Sequence, residues 1–326
     1  MGLAPLVVLV AAFTVLPQAG PAASGADDEQ QVLNERLYAL ATTPGTTAEQ
    51  LAAVLAEGAD PEASAKSVGL QGWANVLWRA VAVLTDPAPI QVLLDAGLAP
   101  TPSVVKKAVQ SNPNVEVTRL LLDANAIASV NDPKLVIKGN LLVEAAANNP
   151  SAAVLRLLLA SGRYDVNAEG ETFPPSTPFA AACATNPNVE VLRTLIEAGA
   201  TYDVDAKGTR TPLMAAMSNP NLEVSRFLLE LGFDPNVTTR KGNTAYLVNA
   251  AWGVHPEAFS LLVEYGADPN VEQVGLDSLA NIGAINKTEG MMAGAIDAGT
   301  RVRAIQGDGS TTLGWAVRND DSLDPL

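Results

Sequence analysis

The side chains able to do chemistry are few. The 326 residues contain one histidine, His255, and one cysteine, Cys183. Nucleophilic catalysis needs a base within hydrogen-bond reach of its nucleophile, so any Ser-His-Asp or Cys-His set must use His255. That residue stands in Gly253-Val254-His255-Pro256, which reads as a tight surface turn between two helices. Cys183 follows Ala182 at a small-residue position and reads as a buried small hydrophobe. One cysteine makes no intramolecular disulfide, and one cysteine with one histidine makes no Cys/His zinc site. No phosphate-binding loop of either glycine-rich type opens a helix after a strand. Asp203 and Asp205 alternate in an extended stretch, but no EF-hand spacing follows them. No catalytic, cofactor-binding or metal-binding residues are therefore expected, and the chain does not read as an enzyme. Asn236-Val237-Thr238 and Asn286-Lys287-Thr288 match the glycosylation sequon, which matters if the chain is secreted where glycans are added.

The net charge of −15 disfavours nucleic acid and anionic membrane surfaces, because both repel an acidic chain. The acid is spread along the sequence and suits a long solvated surface. Aromatic residues make up only 5% while alanine and leucine abound, which favours closely stacked helices over a large-cored sandwich.

Residues 3–16, LAPLVVLVAAFTVL, form an uncharged apolar run closed by Pro17. The run is shorter than the ~20 residues of a spanning helix. Small residues follow, with Ser24 and Ala26 placed as at a signal-peptide cleavage site. Residues 1–26 are thus expected to be a signal peptide cut after Ala26, giving a secreted or periplasmic protein. No Lys or Arg precedes the apolar core, and an uncleaved anchor is the rival reading.

The remaining 27–326 is organised around TPLMAAMSNPNLEVSRFLLELGFDPN, residues Thr211 to Asn236. Thr211 can cap a helix and Pro212 suits its first turn, where a missing N–H is harmless. Pro220 stops that helix, and Asn221 can cap a second one with Glu223 near its positive end. Phe227, Leu228 and Leu231 give the second helix an apolar stripe, and Gly232 supplies a left-handed end. Such a hairpin cannot bury its apolar face alone. The stretch resembles an ankyrin repeat, with Met214 where that family carries histidine.

Copies run in both directions. Glycines or asparagine expected to end second helices recur at Gly58, Gly97, Asn125, Gly162, Gly199, Gly232, Gly266 and Gly299. The last three steps lie within one residue of the 33-residue ankyrin period. Asn112-Pro113-Asn114 returns as Asn186-Pro187-Asn188 and Asn219-Pro220-Asn221, with Asn149-Pro150-Ser151 a looser copy. The triplet reads as a turn in which proline stops one helix and asparagine caps the next. Repeats are expected near 31–61, 73–98, 102–126, 139–163, 177–200, 211–236, 244–270 and 276–300, with a half-repeat at 311–318. The fold class is all-α: an ankyrin-repeat solenoid of about eight stacked helix pairs with projecting finger turns. Segments 126–138 and 163–176 read as longer fingers. Glu116–Arg119, Glu190–Arg193 and Glu223–Arg226 are spaced three apart and are expected to pair on an outer helix face.

The resemblance implies a non-catalytic scaffold that binds a protein partner through a concave groove lined by fingers and first helices. An accessory or immunity-like protein that sequesters or assists one envelope enzyme is the alternative. Carried onto this sequence, the finger positions are Tyr202, Lys207, Arg210, Arg240 and Lys241. The first-helix positions are Met214, Met217, Tyr246 and Asn249, with Trp252 at a helix end. Met214, Met217 and Tyr246 suit packing between repeats equally well. The basic finger residues suit an acidic strip on a partner. A monomer without cofactor, nucleic acid or stable membrane insertion is expected.

Overall fold

A helix leaves its first N–H groups and last carbonyls open, and the side chains at its ends decide where it can start and stop. The computed structural model describes residues 25–62, 75–131, 137, 139–170, 176–202, 210–270, 286 and 288–301. Among them no residue lies in a β-strand. The helices are α1 (Gly25–Ala41), α2 (Ala48–Ala56), α3 (Val76–Val83), α4 (Pro87–Asp95), α5 (Pro102–Ser111), α6 (Val115–Asn131), α7 (Leu141–Asn148) and α8 (Ala152–Ala160). They continue as α9 (Pro178–Thr185), α10 (Val189–Glu197), α11 (Pro212–Ala216), α12 (Leu222–Glu230), α13 (Ala245–Trp252), α14 (Ala258–Glu264) and α15 (Met291–Asp297). The apolar run 3–16 and the expected half-repeat 311–318 lie outside the described residues, and the expected cleavage point after Ala26 falls in the first turn of α1.

Thr177, Thr211 and Thr244 cap α9, α11 and α13 by accepting from the N–H of Ala180, Met214 and Leu247. Asn188 and Asn221 cap α10 and α12, accepting from Glu190 and Glu223 at 3.0 and 3.1 Å. At the far end of α12, Gly232 turns left-handed at φ 92°. That turn lets Phe233 N–H reach Leu228 O at 3.2 Å and Gly232 N–H reach Leu229 O at 3.0 Å, closing the last carbonyls. The same two-bond closure ends α4, α10 and α14.

Asn125 does not end a helix. α6 runs on to Asn131, and no residue other than glycine has positive φ among the described residues. The Asn125 amide instead donates to Pro100 O at 2.7 Å from within the helix. With no glycine before Gly139, the alanine-rich stretch around it continues as helix, so 126–131 is not an extended finger.

The odd-numbered helices α1 to α13 pack side by side in one layer, and the even-numbered ones from α2 to α14 in a second that α15 joins. Within each pair the two helices also touch, so one apolar core runs the length of the stack. Phe179, Tyr246 and Phe259 are its largest fully buried side chains. Alanines such as Ala108, Ala146 and Ala182 fill the seams, which lets first helices approach closely.

Two asparagine ladders cross the seams beside the cap asparagines Asn114, Asn188 and Asn221, which themselves donate back to Thr85 O, Pro150 O and Pro187 O at 2.7 Å each. The first asparagine of each Asn-Pro turn is buried, and its Nδ2 donates to two carbonyls of the preceding pair. Asn219 reaches Cys183 O and Asn186 O at 3.0 Å each, and Asn186 reaches Ala146 O and Asn149 O at 2.8 Å each. Asn149 reaches Val109 O and Asn112 O, and Asn112 reaches Val81 O and Leu84 O. Each Oδ1 accepts from the N–H two residues on, so three bonds satisfy each buried carboxamide. The second ladder lies at the fingers and points the other way. Asn167, Asn236 and Asn270 donate forward to Gly199 O, Gly266 O and Gly299 O, and accept from Thr201, Asp268 and Arg301 N–H.

The first ladder breaks at Gly253, which has no side chain to offer. Val254 N–H reaches Met217 O at 3.3 Å, and His255 Nε2 reaches Asn219 O at 3.1 Å in place of the missing carboxamide. A carbonyl only accepts, so this bond requires the proton on Nε2. Asn286 resumes the ladder, donating to Gly253 O at 2.9 Å. Both sequon asparagines, Asn236 and Asn286, thus hold their amides in inter-repeat bonds.

Candidate functional site

Seam geometry decides what the first-helix layer presents. Thr211 stands one residue closer to its ladder asparagine than Thr177 does, so α11 is only five residues long. Its end tightens: Asn219 N–H reaches back three residues to Ala216 O, where Asn186 N–H reaches four to Ala182 O. α13 is eight residues long and carries Trp252 at its end. Between the short helix and the long one lies a cleft of about 440 Å³, lined by Arg210, Met214, Ser218, Thr239, Val248 and Trp252.

The cleft combines an exposed aromatic wall with one cation. Trp252 is 54% exposed, among the most exposed large apolar side chains of the described residues. Arg210 is exposed as a residue, and its Nη2 donates to Met214 O at 3.4 Å. Partial desolvation draws its pKa below the ordinary arginine value, and it remains a cation. Thr239 comes from a tight finger turn closed by Thr239 N–H to Asn243 O and Gly242 N–H to Thr239 O. Arg240 and Lys241 stand exposed at the tip of that turn.

Of the residues read from the sequence, Arg210, Met214 and Trp252 meet in this cleft, Met214 as a nearly covered floor. Met217, Tyr246 and Asn249 are core residues and offer no side chain to a partner. Tyr246 is held by a 2.6 Å bond between its hydroxyl and Thr300 Oγ1, and by Phe259, 4.8 Å away. Tyr202 is stacked between Phe179 and Phe233 at 4.9 and 5.2 Å, a structural bridge from one unit to the next. Lys207 lies outside the described residues, as do Asp203 and Asp205. Ser218, Thr239 and Val248 were not singled out in the sequence. Their signal is positional: Val248 sits five residues before Gly253, as Met214 does before Asn219.

The two reactive residue types are both engaged elsewhere. Burial pushes the Cys183 thiol far up, so it holds its proton. His255 bonds a backbone carbonyl. Among the described residues no group of three or more His, Cys, Asp or Glu is placed to hold a metal ion, and no helix is long and apolar enough to cross a membrane.

The outer pairs also differ in part from their spacing. Glu116–Arg119 and Glu223–Arg226 pair at 3.3 and 3.4 Å. Glu190 instead takes Arg156 from the preceding unit, and Arg193 lies 4.6 Å from the Phe227 ring centre. A contact across the seam thus replaces one within the helix.

Stacked pairs, left-handed glycine ends and projecting turns converge on one architecture. The family model described as ankyrin repeats, in three copies, matches residues 142–239 and 179–273. Residues 142–273 carry ankyrin repeats. No curated protein matches it. The ankyrin match covers α7 to α14 and takes in the whole cleft.

Proposed function

We propose that this chain is a non-catalytic scaffold that holds a protein partner against the concave, first-helix face of its ankyrin array, outside the cytoplasm. The observation that carries the reading is the cleft between α11 and α13, where Trp252 stands 54% exposed beside Arg210. Tryptophan and arginine are enriched in interface hot spots. A scaffold role is what ankyrin repeats suggest. The absence of a catalytic role is supported by the burial of Cys183 and the backbone bond of His255. Export is supported by the apolar run 3–16 and the small residues before Ala26.

Affinity capture from the native envelope fraction tests the reading, run beside Arg210→Ala, Arg240→Ala and Trp252→Ala. A specific partner retained by the native chain and lost by Trp252→Ala is expected. A captured enzyme that loses activity on binding makes the scaffold an inhibitor of that enzyme. Capture indifferent to all three substitutions defeats the cleft. Cell fractionation with amino-terminal sequencing tests export, which fails if the protein stays in the cytoplasm.

A further inference from the structure

We infer that the partner segment held by this face is acidic and extended, with an apolar side chain seated at the Trp252 end; the inference rests on the concave-face reading above. Met214 and Val248 line the cleft, each five residues before its ladder position, Asn219 and Gly253. Counted the same way from Asn186, Asn149, Asn112 and Leu84, the column continues through Ala181, Glu144, Lys107 and Arg79. The cleft is thus one end of a strip that changes from apolar at α13 to cationic at α5 and α3.

The cations of that strip lie along the layer. The Arg79 guanidinium is 5.5 Å from the Trp78 ring centre and donates to Tyr38 Oη at 3.0 Å. Lys107 Nζ lies 5.4 Å from the same ring. Glu144 is the one carboxylate on the first helices from α3 to α13, and it is already neutralised by Lys106 at 2.5 Å and bonded by Gln110 at 2.7 Å. No carboxylate pairs with Arg79, Lys107 or Arg210 among the described residues. The opposite layer reverses the sign: of the second helices α4 to α14, each except α8 carries at least one carboxylate. The first helices from α3 to α13 are therefore net cationic in a chain of net charge −15. Charge complementarity then selects an anionic partner and repels a basic one.

The strip sets the occupant's length. Packed helices lie 8–10 Å apart, so the six first helices from α3 to α13 span roughly 40–50 Å. An extended chain rising about 3.3 Å per residue covers that in roughly 12–15 residues.

Selection of a displayed random 16-residue peptide library on the full chain tests this. The expected clones carry net negative charge with an aliphatic or aromatic residue toward one end. Their affinity, read by fluorescence anisotropy, should weaken about tenfold in Lys107→Glu or Arg210→Glu and several-fold when salt rises to about 0.3 M. Clones that are neutral or basic, yet lost on Trp252→Ala, overturn the acidic partner and leave the concave-face reading standing. Clones whose binding ignores Trp252, Arg210 and Lys107, or no enriched clones at all, overturn both. The charge of clones selected on the native chain needs no variant, and circular dichroism confirms that each substituted chain is folded.

Discussion

Asn186 shows how much one buried amide can do. Replacing it by alanine removes three hydrogen bonds and leaves two carbonyls of the preceding pair without their donor. At roughly 1 kcal/mol per bond, plus the cost of unpaired buried groups, Asn186→Ala should lower stability by about 3 kcal/mol in urea unfolding. Asn221→Ala, which removes an exposed helix cap and an exposed bond to Pro187 O, should cost less, about 1–2 kcal/mol. Cys183 should resist a thiol reagent in the native protein and react only as urea unfolds it, because burial holds the thiol protonated. Tyr246 offers a pH test. Its pKa is raised by burial, partly opposed by the Thr300 bond. The neutral form is therefore favoured by folding, and that stability is whole below the ordinary tyrosine value of about 10. It is lost as pH rises through the raised folded value. Urea unfolding from about pH 9 to 11 should show a falling alkaline limb that Tyr246→Phe flattens.

The element that departs from its neighbours is α13. Counted from the ladder position, Asn249 stands where α5, α7, α9 and α11 carry Ala108, Ala145, Ala182 and Ala215. It is fully buried, and neither side-chain polar atom has a hydrogen-bond partner. A Cβ added at Gly253 would meet Asn249 Oδ1 at 1.9 Å and the Asn249 backbone carbonyl at 2.6 Å. The two residues are thus coupled: the large side chain on the helix excludes one on the turn. Asn249→Ala should raise stability by about 1–3 kcal/mol, since it removes an unpaired buried amide. Gly253→Asn alone should be strongly destabilising, and the double variant should recover only the part owed to the side-chain clash, because the Asn249 backbone carbonyl still crowds the new Cβ at 2.6 Å. Thermal unfolding of the four chains measures this non-additivity.

How far the sequence could be read follows from the same elements. Thr-Pro starts, Asn caps and glycine ends are local chemistry, and they were legible at Thr211, Asn221 and Gly232. Asn125 misled because asparagine tolerates a left-handed turn but does not require one, and alanine neighbours favoured more helix. The inward asparagines were legible only as turn residues, since the carbonyls they donate to lie 28–40 residues away in sequence. Arg210 and Trp252 stood out by type against an acidic, aromatic-poor chain. Met217, Tyr246 and Asn249 did not sort from them, because which face of a five- or eight-residue helix is covered depends on the neighbour's register.

At the scale of the molecule, two opposed layers carry unlike charge, and the excess acid works against compaction. Moderate NaCl should therefore raise the unfolding temperature of the free chain by a few degrees while weakening an acidic peptide's hold, two opposite salt responses from one charge distribution. A calorimetric series in NaCl, run with and without a selected peptide, would separate them; a free chain indifferent to salt counts against self-repulsion. The two ladders also have a bearing on heredity. Turn asparagines grip the unit behind and finger asparagines the unit ahead. A segment copied from one ladder asparagine to the next arrives with its own donors and finds its acceptors on both sides. Gene duplication or unequal crossing-over can then lengthen or shorten this solenoid by whole units without leaving a buried amide unmatched.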